Sequence, residues 1–301
     1  MKTKLISLLI PLVLFCMTAA ADTAFQPFVL ASVNDADLKE QTAATIDALQ
    51  KAGFTVAGKY SPLENATVVV VSSPELQKLA GISDKGGYGA GQRVSITERE
   101  GKTEVAFVNP LYIQHAYRME ADLQGVYDLL GETLGNVETF GAKKKMTAKK
   151  LAKYHYKPMM PYFDDAMELG SFDSHEAAIA AVESGLAVEG DPLTLVYRID
   201  IPGKNQTVFG VGAKATSDAD AEVDIDESQQ LSIVDFEGYS KVAYFPYEIL
   251  VDGTNVEALP MKFRMAVHFP DLSMMGKHGF TKLMSSPGAT KDAFEALVKN
   301  D

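Results

Sequence analysis

The stretch Gly91–Met119, GQRVSITEREGKTEVAFVNPLYIQHAYRM, decides the fold class. Arg93, Ser95 and Thr97 alternate with Val94, Ile96 and Glu98, the period of two of a half-buried strand. Arg99-Glu100-Gly101-Lys102 breaks that pattern with one glycine and three charges, the chemistry of a hairpin loop. Thr103 to Val108 is the return strand. Asn109-Pro110 then opens a helix, because the Asn side chain accepts from a free backbone N–H and Pro lacks one where none is needed. On that helix Tyr112, His115 and Met119 share a face at i, i+3 and i+7. An imidazole and a thioether four residues apart suit copper or haem iron. Ordinary core packing is the competing reading of the same face.

Working upstream, Phe25 to Val33 reads as a strand. Asp35 to Ala52 reads as an amphipathic helix ended by Gly53, and Phe54 to Tyr60 as the next strand. Val68-Val69-Val70-Val71 is a β-branched run expected to be buried on both faces. Ser72-Ser73-Pro74-Glu75 starts a short helix. The glycine-rich GGYGAG, Gly86 to Gly91, precedes a strand rather than opening a helix, so it is a mobile loop and not a dinucleotide fingerprint. A second helix is read from about Ala121 to Leu134. The first half is therefore an antiparallel sheet with helices on one side.

Lys2 and Lys4, the apolar run Leu5 to Met17 and Ala19-Ala20-Ala21 make Met1 to Ala21 a secretory leader, with Asp22 the expected new N-terminus. The single cysteine, Cys16, leaves with it. The exported chain then forms no disulfide and no thiolate metal site, and without C-x-x-C-H it carries no covalent c-type haem. No second long apolar run exists, so no membrane is expected once the leader is cleaved, and the location is periplasmic or secreted. The net charge of −12, or −14 without Lys2 and Lys4, argues against nucleic acid as a partner. Charge is also uneven: seven lysines lie in Lys143 to Lys157 and six carboxylates in Asp218 to Glu227. Contact between copies of the chain through these runs would make a salt-sensitive homo-oligomer.

Residues 141–170 form a basic and aromatic strap between the halves 22–140 and 171–301. Its core, KYHYKPMMPYFDD, is too aromatic for a disordered linker. Thr147 caps a short basic helix there. Tyr154, Tyr162 and His155, with Asp164 and Asp165, offer a divalent-metal site or an acid–base pair. An aromatic strap whose aspartates cap the next element is the alternative.

Beyond the strap, Asp173-Ser174-His175-Glu176 opens a helix through Gly185. Strands are read at Leu193 to Ile201 and Thr207 to Gly212, and the acidic run is read as a loop. Further strands are read at Leu231 to Phe236, Lys241 to Val251, Asn255 to Leu259 and Met261 to Phe269. Two short helices close the chain. In the last of these strands Arg264 and His268 share a face directed to solvent or to a groove. The fold class is α+β: two halves, each an antiparallel sheet with helices on one face. GKTEVAFVNP and YSKVAYFPYE share a Val-Ala-aromatic core, which suggests a diverged duplication.

With AGFTVAGKYS, ATVVVVSSPEL and VAFVNPLYIQHAYRM, roughly Phe25 to Leu134 resembles the domain-of-unknown-function family 302, small α+β domains. KYHYKPMMPYFDD, FGVGAK, FPYEILVDG and FRMAVHFPDLSM make the whole chain look like exported bacterial proteins that pair such a domain with a second β-rich half. The resemblance implies fold and compartment and brings no catalytic residue.

The sequence lacks G-x-S-x-G, H-E-x-x-H and a P-loop. Met159-Met160 with His155, and Met274-Met275 with His278, are thioether–imidazole neighbourhoods of the kind that hold copper. Three functions are compatible with these residues. The first is a module binding a small molecule or cofactor between the halves, with His115, Met119 and His155 as metal ligands for copper or non-covalent haem. The second is a protein-partner or assembly component. The third is a hydrolase-like enzyme using His155 with Asp164 or Asp165.

Overall fold

A computed structural model describes residues 23–299; the expected leader and Asp22 lie outside them. The first half runs β1 (Ala24–Phe25), β2 (Phe28–Asn34), α1 (Leu38–Lys51), β3 (Thr55–Leu63), β4 (Ala66–Ser72), α2 (Pro74–Ala80), β5 (Gln92–Arg99), β6 (Lys102–Val108), α3 (Pro110–Ala116), α4 (Gln124–Leu134) and β7 (Glu138–Phe140). The strap holds β8 (Met146–Thr147) and α5 (Ala148–Leu151). The second half runs β9 (Met167–Ser171), α6 (His175–Leu186), β10 (Leu193–Asp200), β11 (Gln206–Ala213), α7 (Asp220–Ile225), α8 (Glu227–Val234), β12 (Tyr247–Asp252), β13 (Asn255–Ala258), α9 (Met261–His268) and α10 (Ser286–Leu297).

Local chemistry sets the boundaries. Asp37, Ser73, Asn109, Thr147 and Ser174 each cap a helix with a side-chain oxygen. Glu100 and Gly101 both take positive φ in the β5–β6 turn, which matches the right-handed twist of the hairpin.

The six-stranded sheet has the order β3-β4-β5-β6-β2-β7, and the five-stranded sheet β10-β11-β12-β13-β9. All described pairings are antiparallel. Replacing β3, β4, β5, β6, β2 by β10, β11, β12, β13, β9 turns the first order into the second, so the two halves share one connectivity. α1 and α6 hold equivalent places, as do α3 and α9, and α4 and α10. The repeat is therefore one of topology. The paired sequences GKTEVAFVNP and YSKVAYFPYE are not equivalent: the first is β6 and the cap of α3, the second enters β12.

The sheets pack face to face with helices outside, giving four layers. α1 and α4 lie on the first sheet, and α6 and α10 on the second. β4 and β11 are buried at every position because each is covered on both faces. The equivalent edge strands β3 and β10 meet at their bulges. A side chain at Gly58 would fall 2.1 Å from the Val196 carbonyl oxygen, so only glycine allows this approach.

Five expectations change. β5 is buried on both faces along Gln92 to Thr97, not half-buried, because the second sheet covers its inner face. GGYGAG is no mobile loop. Its residues Gly86–Gly89 form a buried 3-10 turn in which glycine admits the Ala80 backbone, the Leu250 side chain and Met119 Sδ. The acidic run forms helix α7 and the start of α8, with Asp226 capping α8, so Leu231 to Val234 is helix and not strand. Lys241 to Val251 splits into a 3-10 turn, Val242–Tyr244, and β12. Met261 to His268 is helix.

The bulge contact yields a test. Gly58→Ala forces a methyl group into backbone, and overpacking of that kind costs about 1–3 kcal/mol. Urea unfolding of Gly58→Ala should show the loss, while Gly125→Ala, in open space on α4 at ordinary φ, should not.

Candidate functional site

Two segments of the second half, together with residues 138–143 and Gln26, enclose a cleft of about 680 Å3 at the seam between the halves. β7, the last strand of its sheet, supplies one wall with Glu138 and Phe140 and runs on to Lys143. The segment after α8 brings Phe236 and Tyr239, and the turn after α9 brings Met275, Lys277 and His278. Phe236 stacks on His278 at 4.0 Å between ring centroids and 18° between planes. Phe236 is 48% exposed even so, which leaves an aromatic surface uncovered. His278 Nδ1 lies 3.2 Å from the Ile233 carbonyl, to which it must donate, so Nε2 is left as the ring's second polar position. Tyr239 meets Phe140 edge to face at 5.5 Å. The neighbouring Glu138 carboxylate raises its phenol pKa. Lys241 is occupied by the Glu237 carbonyl and Asp235, and Asp271 accepts from the Lys143 backbone N–H. Lys143 and Lys277 have no carboxylate partner among the described residues.

Beneath the cleft a charged network joins the halves. Arg93 on β5 is paired with Glu248 on β12, and Glu248 Oε2 also faces Arg264 Nη2 at 2.9 Å. All three side chains are buried. The Arg264 guanidinium lies between the rings of Tyr244 and Tyr247, 4.9 and 4.7 Å from their centroids, and Nη2 faces the carbonyls of Tyr244 and Pro246. Burial alone would lower the Arg264 pKa, but Glu248 and the surrounding phenols hold it above its ordinary value. Burial pushes the Tyr244 phenol to about 12.

His268 closes the network. Its Nδ1 lies 2.8 Å from the Arg264 carbonyl and must donate, while Nε2 lies 3.0 Å from Arg93 Nη2 and must accept. The ring is therefore the neutral Nδ1–H tautomer. Burial and the two arginines hold its pKa well below 6.5. Two guanidiniums, one carboxylate and a neutral imidazole leave this centre with one net positive charge. Nearby, Glu227 on α8 is buried against Tyr60 on β3, and burial raises its pKa to about 8.

The residues singled out from sequence fall into three groups. Arg264 and His268 share a face, but of a buried helix: both are fully buried and neither meets solvent. Tyr112 ties α3, and Tyr154 the strap, to α9, donating to the Val267 carbonyl at 2.7 Å and the Ala266 carbonyl at 3.0 Å. Of the remaining six, His155 and Asp165 meet only through Tyr162, and the others are engaged separately. His115 lies 5.0 Å from the Phe25 ring, and burial lowers its pKa. α3 ends at Ala116, so Met119 leaves the shared face and packs against Gly89. His155 Nδ1 lies 2.8 Å from the Lys157 carbonyl, and its ring stacks on Tyr162 at 4.4 Å. Asp164 is paired with Arg118, whose hydrogen bond lowers its pKa, and Asp165 accepts from the Tyr162 backbone N–H. Among the described residues no three His, Cys, Asp or Glu side chains group as metal ligands.

Arg93, Glu248, Phe236, Tyr239 and Lys277 were missed. Glu248 had a signal, being a lone carboxylate inside the apolar run FPYEILV. No protein-family model matches the chain, and neither a curated protein nor a solved structure matches it.

Two expectations test the network. Glu248→Ala strands two buried guanidiniums and should lower unfolding free energy by about 3–5 kcal/mol in urea titration. Glu227 has a raised folded-state pKa, so its contribution is full below about 4.5 and is lost as pH rises through about 8. His268 has the opposite sign: its contribution is present above 6.5 and is lost as pH falls. Between pH 6.5 and 9 the urea midpoint of Glu227→Gln should fall less than that of the parent chain.

Proposed function

We propose that this chain is an exported binding protein that holds a small organic ligand, with a flat apolar ring and an acidic group, in the cleft between its halves. The half-exposed Phe236–His278 stack is the observation that carries this reading. A stacked pair with one face left open is a platform for another ring. Phe140, Met275 and Leu272 extend the apolar surface, and Lys143 and Lys277 supply charge for an anionic group. The volume of about 680 Å3 lies within the ordinary range of small-ligand sites. The leader pattern of Met1 to Ala21 supports export. A binding role is favoured over catalysis by His155 with Asp164 or Asp165, because His155 Nδ1 is engaged by the Lys157 carbonyl, Asp164 by Arg118 and Asp165 by the Tyr162 N–H, with no His155–carboxylate hydrogen bond among the described residues.

The test is a thermal-shift series with aromatic carboxylic acids, then calorimetric titration of the strongest hit. Phe236→Ala and Lys277→Ala should each weaken binding about tenfold or more, without changing the ligand-free unfolding midpoint. Unchanged affinity in both variants would contradict this placement. Met275 and His278 line the same cleft, so copper content of the natively purified protein should be measured on the same sample.

A further inference from the structure

We propose that the outer face of the strap is a docking surface for an anionic lipid bilayer, gripped by lysines and entered by exposed methionine side chains. Among the described residues no helix is long and apolar enough to cross a membrane. That, like the lack of a second apolar run, concerns spanning and leaves peripheral attachment open. The inference does not depend on the cleft holding a ligand.

All seven lysines from Lys143 to Lys157 are exposed, and among the described residues none is in an ion pair. In a chain of net charge −12 this is a concentrated reversal of sign. The carboxylates beside it are engaged: Asp164 with Arg118, Asp165 with the Tyr162 N–H, and Asp271 with the Lys143 N–H. Only the Arg118 pair offsets a carboxylate charge, but seven lysines outnumber the three carboxylates, so the surface stays positive.

Met159 stands at the tip of the turn between Pro158 and Pro161. Its relative exposure is 102%, so the side chain touches almost nothing of its own protein. Its φ of 68° is in the left-handed region, which an unbranched apolar side chain rarely adopts. The strap thus tolerates backbone strain while presenting Met159 outward. The turn after α9 lies alongside: the Tyr156 hydroxyl donates to the Leu272 carbonyl, and Met160, Leu272 and Phe280 share one small cavity. That turn carries Met275, 76% exposed, and the exposed Lys277. The strap is braced from below by the Tyr154–Ala266 hydrogen bond and by Phe163 stacked on Tyr117 at 5.4 Å. Lysines, tyrosines and protruding apolar tips on a rigid base suit the headgroup zone of a bilayer, where charge meets phosphate and thioethers reach the acyl boundary. An acidic protein would use the lysines but has no need of a fully solvated Met159.

The test is co-sedimentation of the full chain with phosphatidylglycerol and with phosphatidylcholine vesicles at low and high salt. Phosphatidylglycerol vesicles should bind it at least about tenfold more tightly, with binding lost in high salt. Lys153→Glu with Lys157→Glu should weaken that binding more than about tenfold, and Met159→Ser with Met275→Ser several-fold, with urea midpoints unchanged. Failure to bind phosphatidylglycerol vesicles overturns the proposal, and so does binding indifferent to the methionine substitutions. Retention on immobilised polyglutamate, equal for the parent and the methionine variant and without vesicle binding, would assign the face to an acidic protein and overturn the lipid reading.

Discussion

One carboxylate, Glu248, lies between two guanidiniums contributed by different halves of the chain, and the rest of the structure is arranged around that placement. Burying ions costs several kcal/mol each unless their partners are close and well oriented. Here the cost is met only when both halves are in register. Arg93 comes from β5, Glu248 from β12 and Arg264 from α9. The neutral His268 ring accepts from Arg93 and donates to the Arg264 carbonyl, which fixes α9 against the first sheet. Among the described residues there is no cysteine, so no disulfide there can lock the halves together. A network of this kind resists sliding of one sheet over the other, because any shift leaves a buried charge alone.

The repeat in topology explains why such a seam exists. Each half is a sheet covered by helices on one face only, and its other face needs a partner. The second sheet supplies it, so β4 and β11 are buried throughout and the bulges of β3 and β10 meet across Gly58. Where the two halves differ, surface features appear. β7 has no counterpart in the five-stranded sheet, and its outer side opens on the cleft. The strap crosses the seam, tied to α9 through Tyr154 and to α3 through the Tyr117–Phe163 stack. Both candidate surfaces therefore lie where the internal repeat is broken.

Local grammar was readable from sequence along the chain. Gly101 turned the hairpin, Asn109-Pro110 opened α3, and Thr147 and Ser174 capped their helices where expected. The misreadings have physical causes. Met261 to Phe269 alternates apolar and polar residues like a strand, yet residues four apart share a face in helix and strand alike, so Arg264 and His268 keep company under either reading. Their burial was hidden because a charged residue reads as solvent-facing until its partner is known. The acidic run forms helix since carboxylates in a first turn favour the positive end of the helix dipole, and Asp226 caps α8. The glycines of Gly86 to Gly89 serve close packing rather than mobility. The cleft was beyond reach because its walls come from residues 138–143, 234–241 and 269–278, which share no motif.

Differential scanning calorimetry of the chain, comparing calorimetric with van't Hoff enthalpy, tests the central claim that the halves are one unit locked at Glu248. A single transition with the two enthalpies equal is the predicted result. Two separable transitions, or a van't Hoff enthalpy near half the calorimetric value, would mean that each half unfolds alone and would contradict the account.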